Sequence, residues 1–93
     1  MVTLGRNVII GFGATIAGHY QDRDGIVIAR TVIEDDVLIG AYVAIAGGVR
    51  IGRGAVLAAH SLVLPGTEIG PGEVWGGNPA RRRRSTAVDG EAA

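Results

Sequence analysis

The sequence predicts an all-β solenoid, a chain that turns a corner at fixed intervals and points one aliphatic side chain inward from each flat side. Three observations predict it. From Ile33 onward an apolar residue returns every sixth position, as Ile33, Ile39, Ile45, Ile51, Leu57, Val63, Ile69 and Trp75. The residue after each is generally small (Gly40, Ala46, Gly52, Ala58, Gly70, Gly76), and compact Val37, Val43, Val49, Ala55, Ser61 and Thr67 recur four places on. A period of six fits neither the 3.6 of a helix nor a simple alternation of two. Composition agrees: Gly, Val and Ile are abundant, aromatic residues make up only 4%, and no heptad pattern occurs.

The elements follow in order. Leu4, Ile10 and Ile16, trailed by Gly5, Gly11 and Ala17, open the chain in the same metre. Residues 18–25, "GHYQDRDG", break it. Ile16 and Val27 are read as hexad positions eleven residues apart where twelve are required, so the chain loops out between them. The metre then runs unbroken to Trp75, whose bulk at an inward position plugs the last turn. In "GEVWGGNPARRRR", Asn78 suits a helix N-cap and Pro79 the first helical position, which predicts a short helix from Ala80 to Arg84. The closing "STAVDGEAA" lacks apolar content and reads as a frayed tail. The expected organisation is residues 1–78 as the solenoid and 79–93 as a short C-terminal helix with a flexible tail.

Composition also excludes function classes. Ninety-three residues make one domain, too small for a thick core. A solenoid escapes that limit by burying a thin column whose stability accumulates turn by turn. Without cysteine there is neither a disulfide framework nor a thiolate metal site. All nine basic residues are arginine, so lysine chemistries such as a Walker loop are excluded, and a formal charge of zero argues against a nucleic-acid partner. "MVTLGRNVII" is too short and too broken by Gly, Arg and Asn for a signal peptide or membrane span. A cytoplasmic protein without membrane attachment is the expectation.

Over residues 4–82 the repeat [LIV]-[GA]-x-x-[small]-x resembles the hexapeptide signature of the left-handed parallel β-helix, and GGNPA followed by basic residues resembles the usual end of such helices. The resemblance implies three hexads per triangular coil of eighteen residues and a left-handed sense. It also implies function. "AGHYQDRDG" followed by "TVIEDDVLIG" is similar to the histidine-bearing excursion and return of maltose, galactoside and antibiotic O-acetyltransferases, which use acetyl-coenzyme A. That carries the general-base role to His19, which would take the proton from a hydroxyl or amine of a small acceptor, a sugar first among them. It carries coenzyme contacts to Gly40 and Ala41 in one coil and Ala58 and Ala59 in the next. Arg81 and Arg82, with Arg83 and Arg84, would neutralise phosphates of the coenzyme. No metal is implied.

Competing readings stay open. His19 also suits a solvated loop, His60 a structural corner of positive φ, and the arginine run a solvated tail. Asp22, Asp24, Asp35 and Asp36 read as turn carboxylates, with Asp22 or Asp24 able to orient His19. "VLAAHSLV…GEVWGGNPA" also resembles γ-class carbonic anhydrases, but the family's metal-ligand spacing falls on Arg23 and Ile28, so such a protein would lack its metal site. The sugar enzymes' aromatic is Leu38 here and their Thr-Lys pair is Leu64-Pro65. A non-catalytic trimeric module, or the C-terminal portion of a larger acyltransferase, are therefore the alternatives. Apolar residues in "VLIGAYVAIAGG" exceed what one thin column buries, which predicts a homotrimer with a cleft between subunits.

Overall fold

The computed structural model describes residues 1–85, without the side chains of residues 20, 21, 22, 27 and 85. The six-residue metre becomes short strands separated by turns. One coil comprises β1 (Val2–Leu4), β2 (Ile9–Ile10) and β3 (Thr15–Ile16). An arm follows, β4 (His19–Asp22) and β5 (Gly25–Ile28). Then come β6 (Thr31–Ile33), β7 (Leu38–Ile39) and β8 (Ala44–Ile45), and β9 (Arg50–Ile51), β10 (Val56–Leu57) and β11 (Leu62–Val63). The last coil holds β12 (Glu68–Ile69) and β13 (Glu73–Gly76), with β14 (Arg81–Ser85) behind it.

Strands of successive coils pair in parallel on three faces. The first face is β1-β6-β9-β12, the second β2-β7-β10-β13 and the third β3-β8-β11. The architecture is a left-handed parallel β-helix. Its register stacks like on like: Leu4, Ile33, Ile51 and Ile69 on the first face, and Ile10, Ile39, Leu57 and Trp75 on the second. Ile16, Ile45 and Val63 complete the third. Ile33, Ile39, Ile45, Ile51, Leu57 and Val63 are all at most 3% exposed, so the sixfold metre is the core. Leu4 and Ile10 keep the axial register yet are 49% and 41% exposed, because no coil of the described chain lies beneath them.

Buried Thr31 ties the coils where the arm rejoins the prism. Its hydroxyl lies 2.8 Å from the Ala17 carbonyl oxygen and 3.1 Å from that of Ala46, and it receives the Val49 N–H at 3.4 Å. The register also corrects the hexad count across the break. Ile33, not Val27, is the next axial residue after Ile16. The seventeen-residue gap is therefore one hexad plus an eleven-residue insertion, and Val27 belongs to the arm.

The short C-terminal helix is not formed. Arg81–Ser85 is a strand that pairs antiparallel with β13. The chain reverses because Gly77 accepts the Leu62 N–H at 3.0 Å and buried Ala80 donates to the Leu62 carbonyl at 2.8 Å. That reversal lays the arginines along the open backbone edge of β13, whose hydrogen-bonding groups a short helix would leave unpaired. Glu73 latches this end. Its carboxylate accepts from the Trp75 indole at 3.0 Å, the Gly70 N–H at 2.8 Å and the Arg82 guanidinium at 3.0 Å. The bond from Trp75, then that from Gly70, hold its pKa below the usual carboxylate value against the opposing effect of burial, and Arg82 lowers it further. From residue 86 the expected tail lies outside the described residues. Among the described residues no helix is long and apolar enough to cross a membrane.

Candidate functional site

The arm is an antiparallel hairpin in which His19 faces Ile28, Tyr20 faces Val27 and Gln21 faces Ile26. Opposed residues share a face of a two-stranded sheet, so His19 stands beside Ile28 and in line with Ile26. Both isoleucines are out in solvent, 71% exposed at Ile26 and 81% at Ile28. An open cleft of about 370 Å³ is lined by Met1, Gly18, His19, Ile26 and Ile28.

The base of the arm is fixed by backbone. The Gly18 carbonyl accepts from the Met1 ammonium at 3.2 Å and from the Ala29 N–H at 3.1 Å, and Ala29 in turn accepts the Gly48 N–H at 3.1 Å. The His19 main chain rests directly on Gly47, where a Cβ would come within 2.6–2.8 Å of its N, Cα and C atoms. His19 thus has an anchored backbone and an exposed imidazole. Orientation of that ring by Asp22 involves a side chain outside the described residues.

Gly40, Ala41, Ala58 and Ala59 come together at the corner between the second and third faces. Gly40 donates to Leu57 at 2.9 Å and His60 to Ala41 at 2.9 Å, and a Cβ on Gly40 would meet the Ala59 nitrogen at 2.7 Å. These small residues form a ledge with exposed Ala58 and Ala59. Arg81 and Arg82 do not join it as a pair: the Arg82 guanidinium turns to Glu73. Arg83 reaches this corner instead, with its Nη2 2.9 Å from where a Gly77 Cβ would stand. His19 lies at the opposite margin of the third face, where β3 runs into the arm, so one chain holds histidine and ledge apart.

The corner also carries a feature that the hexad reading missed. Tyr42 and His60 both have positive φ, 58° and 64°, and their rings stack with centroids 5.3 Å apart at 14°. Phe12, 80% exposed, meets Tyr42 edge-on at 5.8 Å. His60 is the expected structural corner and is also part of this column. The signal was present: Tyr42 and His60 are eighteen residues apart, one full coil. Among the described residues no group of three or more His, Cys, Asp or Glu is placed to hold a metal ion.

Residues 30–65 match the family described as bacterial transferase hexapeptide (six repeats). Those residues carry a hexapeptide repeat similar to that of the bacterial transferases. It is 42% identical over 79 residues to a 2,3,4,5-tetrahydropyridine-2,6-dicarboxylate N-acetyltransferase of Staphylococcus aureus, a match covering 85% of this chain and 31% of that protein. It superposes with a TM-score of 0.84 and 36% identity on a hexapeptide-repeat acetyltransferase of Vibrio cholerae complexed with acetyl-coenzyme A, covering 90% of this chain and 49% of the other. A galactoside acetyltransferase in complex with coenzyme A gives 0.84 and 32%, covering 90% and 44%. The hexapeptide-repeat chain therefore spans about a third of its curated relative and about half of each structural one.

Proposed function

We propose that this chain transfers an acetyl group from acetyl-coenzyme A to a hydroxyl or amine of a small acceptor, with His19 as general base and three chains forming the working unit. One observation carries the reading: a histidine-bearing arm and a ledge of small residues border the same face of a prism whose similar structures include one complexed with acetyl-coenzyme A. The ledge suits a thin extended donor, because Gly40, Ala41, Ala58 and Ala59 permit close approach of a thioester arm to the backbone. Arg83 stands at the end of that ledge, ready to pair with a phosphate of the donor.

The chemistry balances with one imidazole. Neutral His19 accepts the proton of the acceptor O–H or N–H as the acceptor oxygen or nitrogen attacks the thioester carbonyl. Corner backbone N–H groups stabilise the tetrahedral oxyanion. The carbon–sulfur bond breaks, and the imidazolium returns the proton to the departing thiolate. A relative named for N-acetylation of a cyclic dicarboxylate and another named for galactosides support an acceptor class that spans amines and hydroxyls, with sugars as the first expectation.

The test is thiol release from acetyl-coenzyme A with a panel of sugars, amino sugars, cyclic dicarboxylates and small alcohols. Release that depends on one acceptor is the expected result. Coenzyme that does not bind, or that binds without acceptor-dependent release across the panel, would favour a non-catalytic assembly module.

A further inference from the structure

We propose that the arm selects the acceptor. Ile26 and Ile28 beside His19 favour an alcohol or amine whose reacting group adjoins a hydrocarbon face, such as a deoxysugar, over polyhydroxylated or dicarboxylate acceptors. This rests on the acetyl-transfer reading and narrows its acceptor class.

The argument starts from the register of the hairpin. Residues alternate between the two faces of a strand, and opposed residues of paired strands share one. His19 faces Ile28 and Gln21 faces Ile26, so these four positions fall on one side. None of the four is Asp, Glu or Arg. Asp22 takes the alternate register with Tyr20 and pairs with Gly25, and Arg23 and Asp24 lie at the turn between β4 and β5. The charged residues of the arm are thus off the register of the histidine.

The cleft has the same character. It is lined by Met1, Gly18, His19, Ile26 and Ile28, so among the described residues the imidazole is its one titratable side chain. At roughly 30 Å³ for each water-sized group, its volume of about 370 Å³ holds an acceptor of about a dozen non-hydrogen atoms, the size of a monosaccharide. Ile26 and Ile28 stand 71% and 81% exposed in it. Two large apolar side chains grouped beside a candidate base differ from isoleucines scattered over a surface. A hydrocarbon face laid on them leaves water together with theirs, which favours binding in proportion to the area covered. A hydroxyl or carboxylate laid there gives up water and finds no donor on the isoleucines.

Two positive groups stand near the cleft without belonging to the arm's strands. The Met1 ammonium donates to the Gly18 carbonyl at 3.2 Å, and the Arg30 guanidinium rests on the Met1 sulfur at 3.3 Å. If these governed the choice, dicarboxylates would be the better acceptors.

The test is steady-state acetyl transfer by the full chain to matched acceptors. A methyl glucoside is compared with its deoxy counterpart, in which the hydroxymethyl becomes a methyl, and both with a cyclic dicarboxylate bearing an amine. The deoxysugar is expected to show a KM about tenfold below its parent, the low end for one changed group in an apolar site because this cleft is open. Ile26→Thr with Ile28→Thr, which keeps β-branched residues at two exposed strand positions, is expected to erase the gap by raising the KM of the deoxysugar. Ile26→Val with Ile28→Val is expected to restore it. Equal KM values in the wild type, a gap that survives the threonine pair, or a preference for the dicarboxylate would overturn the proposal. Binding is read without catalysis from the isoleucine methyl resonances, assigned by their loss in the valine pair. The deoxysugar, with coenzyme A present, is expected to shift those of Ile26 and Ile28, and no shift there would overturn the proposal as well. Such shifts without thiol release would sink the acetyl-transfer reading alone, and thiol release without the deoxy preference would sink this one alone.

Discussion

At the residue scale, the inward positions were the most legible feature of the sequence. An apolar side chain at every sixth position has one place to go in a chain that turns at that interval, and Ile39, Ile51 and Val63 are fully buried. Ile51→Ala is expected to destabilise the prism by about 2–5 kcal/mol, measured by denaturant unfolding, because the thin column has few atoms free to collapse into the void. Glu73 was not singled out, since Arg82 joins its local partners Gly70 and Trp75 only after the chain reverses at Ala80. Its lowered pKa means that it stabilises the fold above the ordinary carboxylate pKa and stops doing so as pH falls through its lowered value. The wild type should therefore melt above Glu73→Gln at neutral pH, with the gap closing on acidification below about pH 4. A gap that is constant from pH 7 to pH 3 would contradict the latch.

At the element scale, the sequence showed where the metre broke but not what filled the break. Counting Val27 as axial hid an eleven-residue insertion, because a hairpin of alternating residues also supplies apolar side chains at plausible spacing. The C-terminal strand was illegible for a different reason. Asn78 and Pro79 satisfy local helix-start preferences, whereas the open edge of β13 is a tertiary demand that no local pattern encodes. The arm gives the sharper expectation. Gly47→Ala places a Cβ against the His19 backbone, so the arm must shift. Acetyl transfer is expected to fall by about a hundredfold, as for a displaced catalytic group. Thermal unfolding should move by only a few degrees, since the axial column is untouched. Equal loss of both, or of neither, would show that the arm's seat on Gly47 does not position the histidine.

At the scale of the whole molecule, a solenoid turning every six residues was readable from periodicity alone, while the three-sided coil and its left-handed sense came from the family resemblance. The candidate site was only half readable. The ledge residues and His19 could each be placed by resemblance, yet their separation across the third face is visible only in three dimensions. In the proposed reading, that separation makes assembly part of the chemistry. Sedimentation at micromolar concentration is expected to show three chains, and a well-folded monomer at that concentration would contradict the proposed trimer. The central claim is that His19 moves the acceptor's proton. It is tested most directly by comparing steady-state acetyl transfer of wild type and His19→Ala, with coenzyme affinity measured alongside by calorimetry. The account expects kcat to drop on the order of a hundredfold or more while coenzyme affinity and the trimer persist. Wild-type protein that binds acetyl-coenzyme A and turns over no faster than His19→Ala would contradict it.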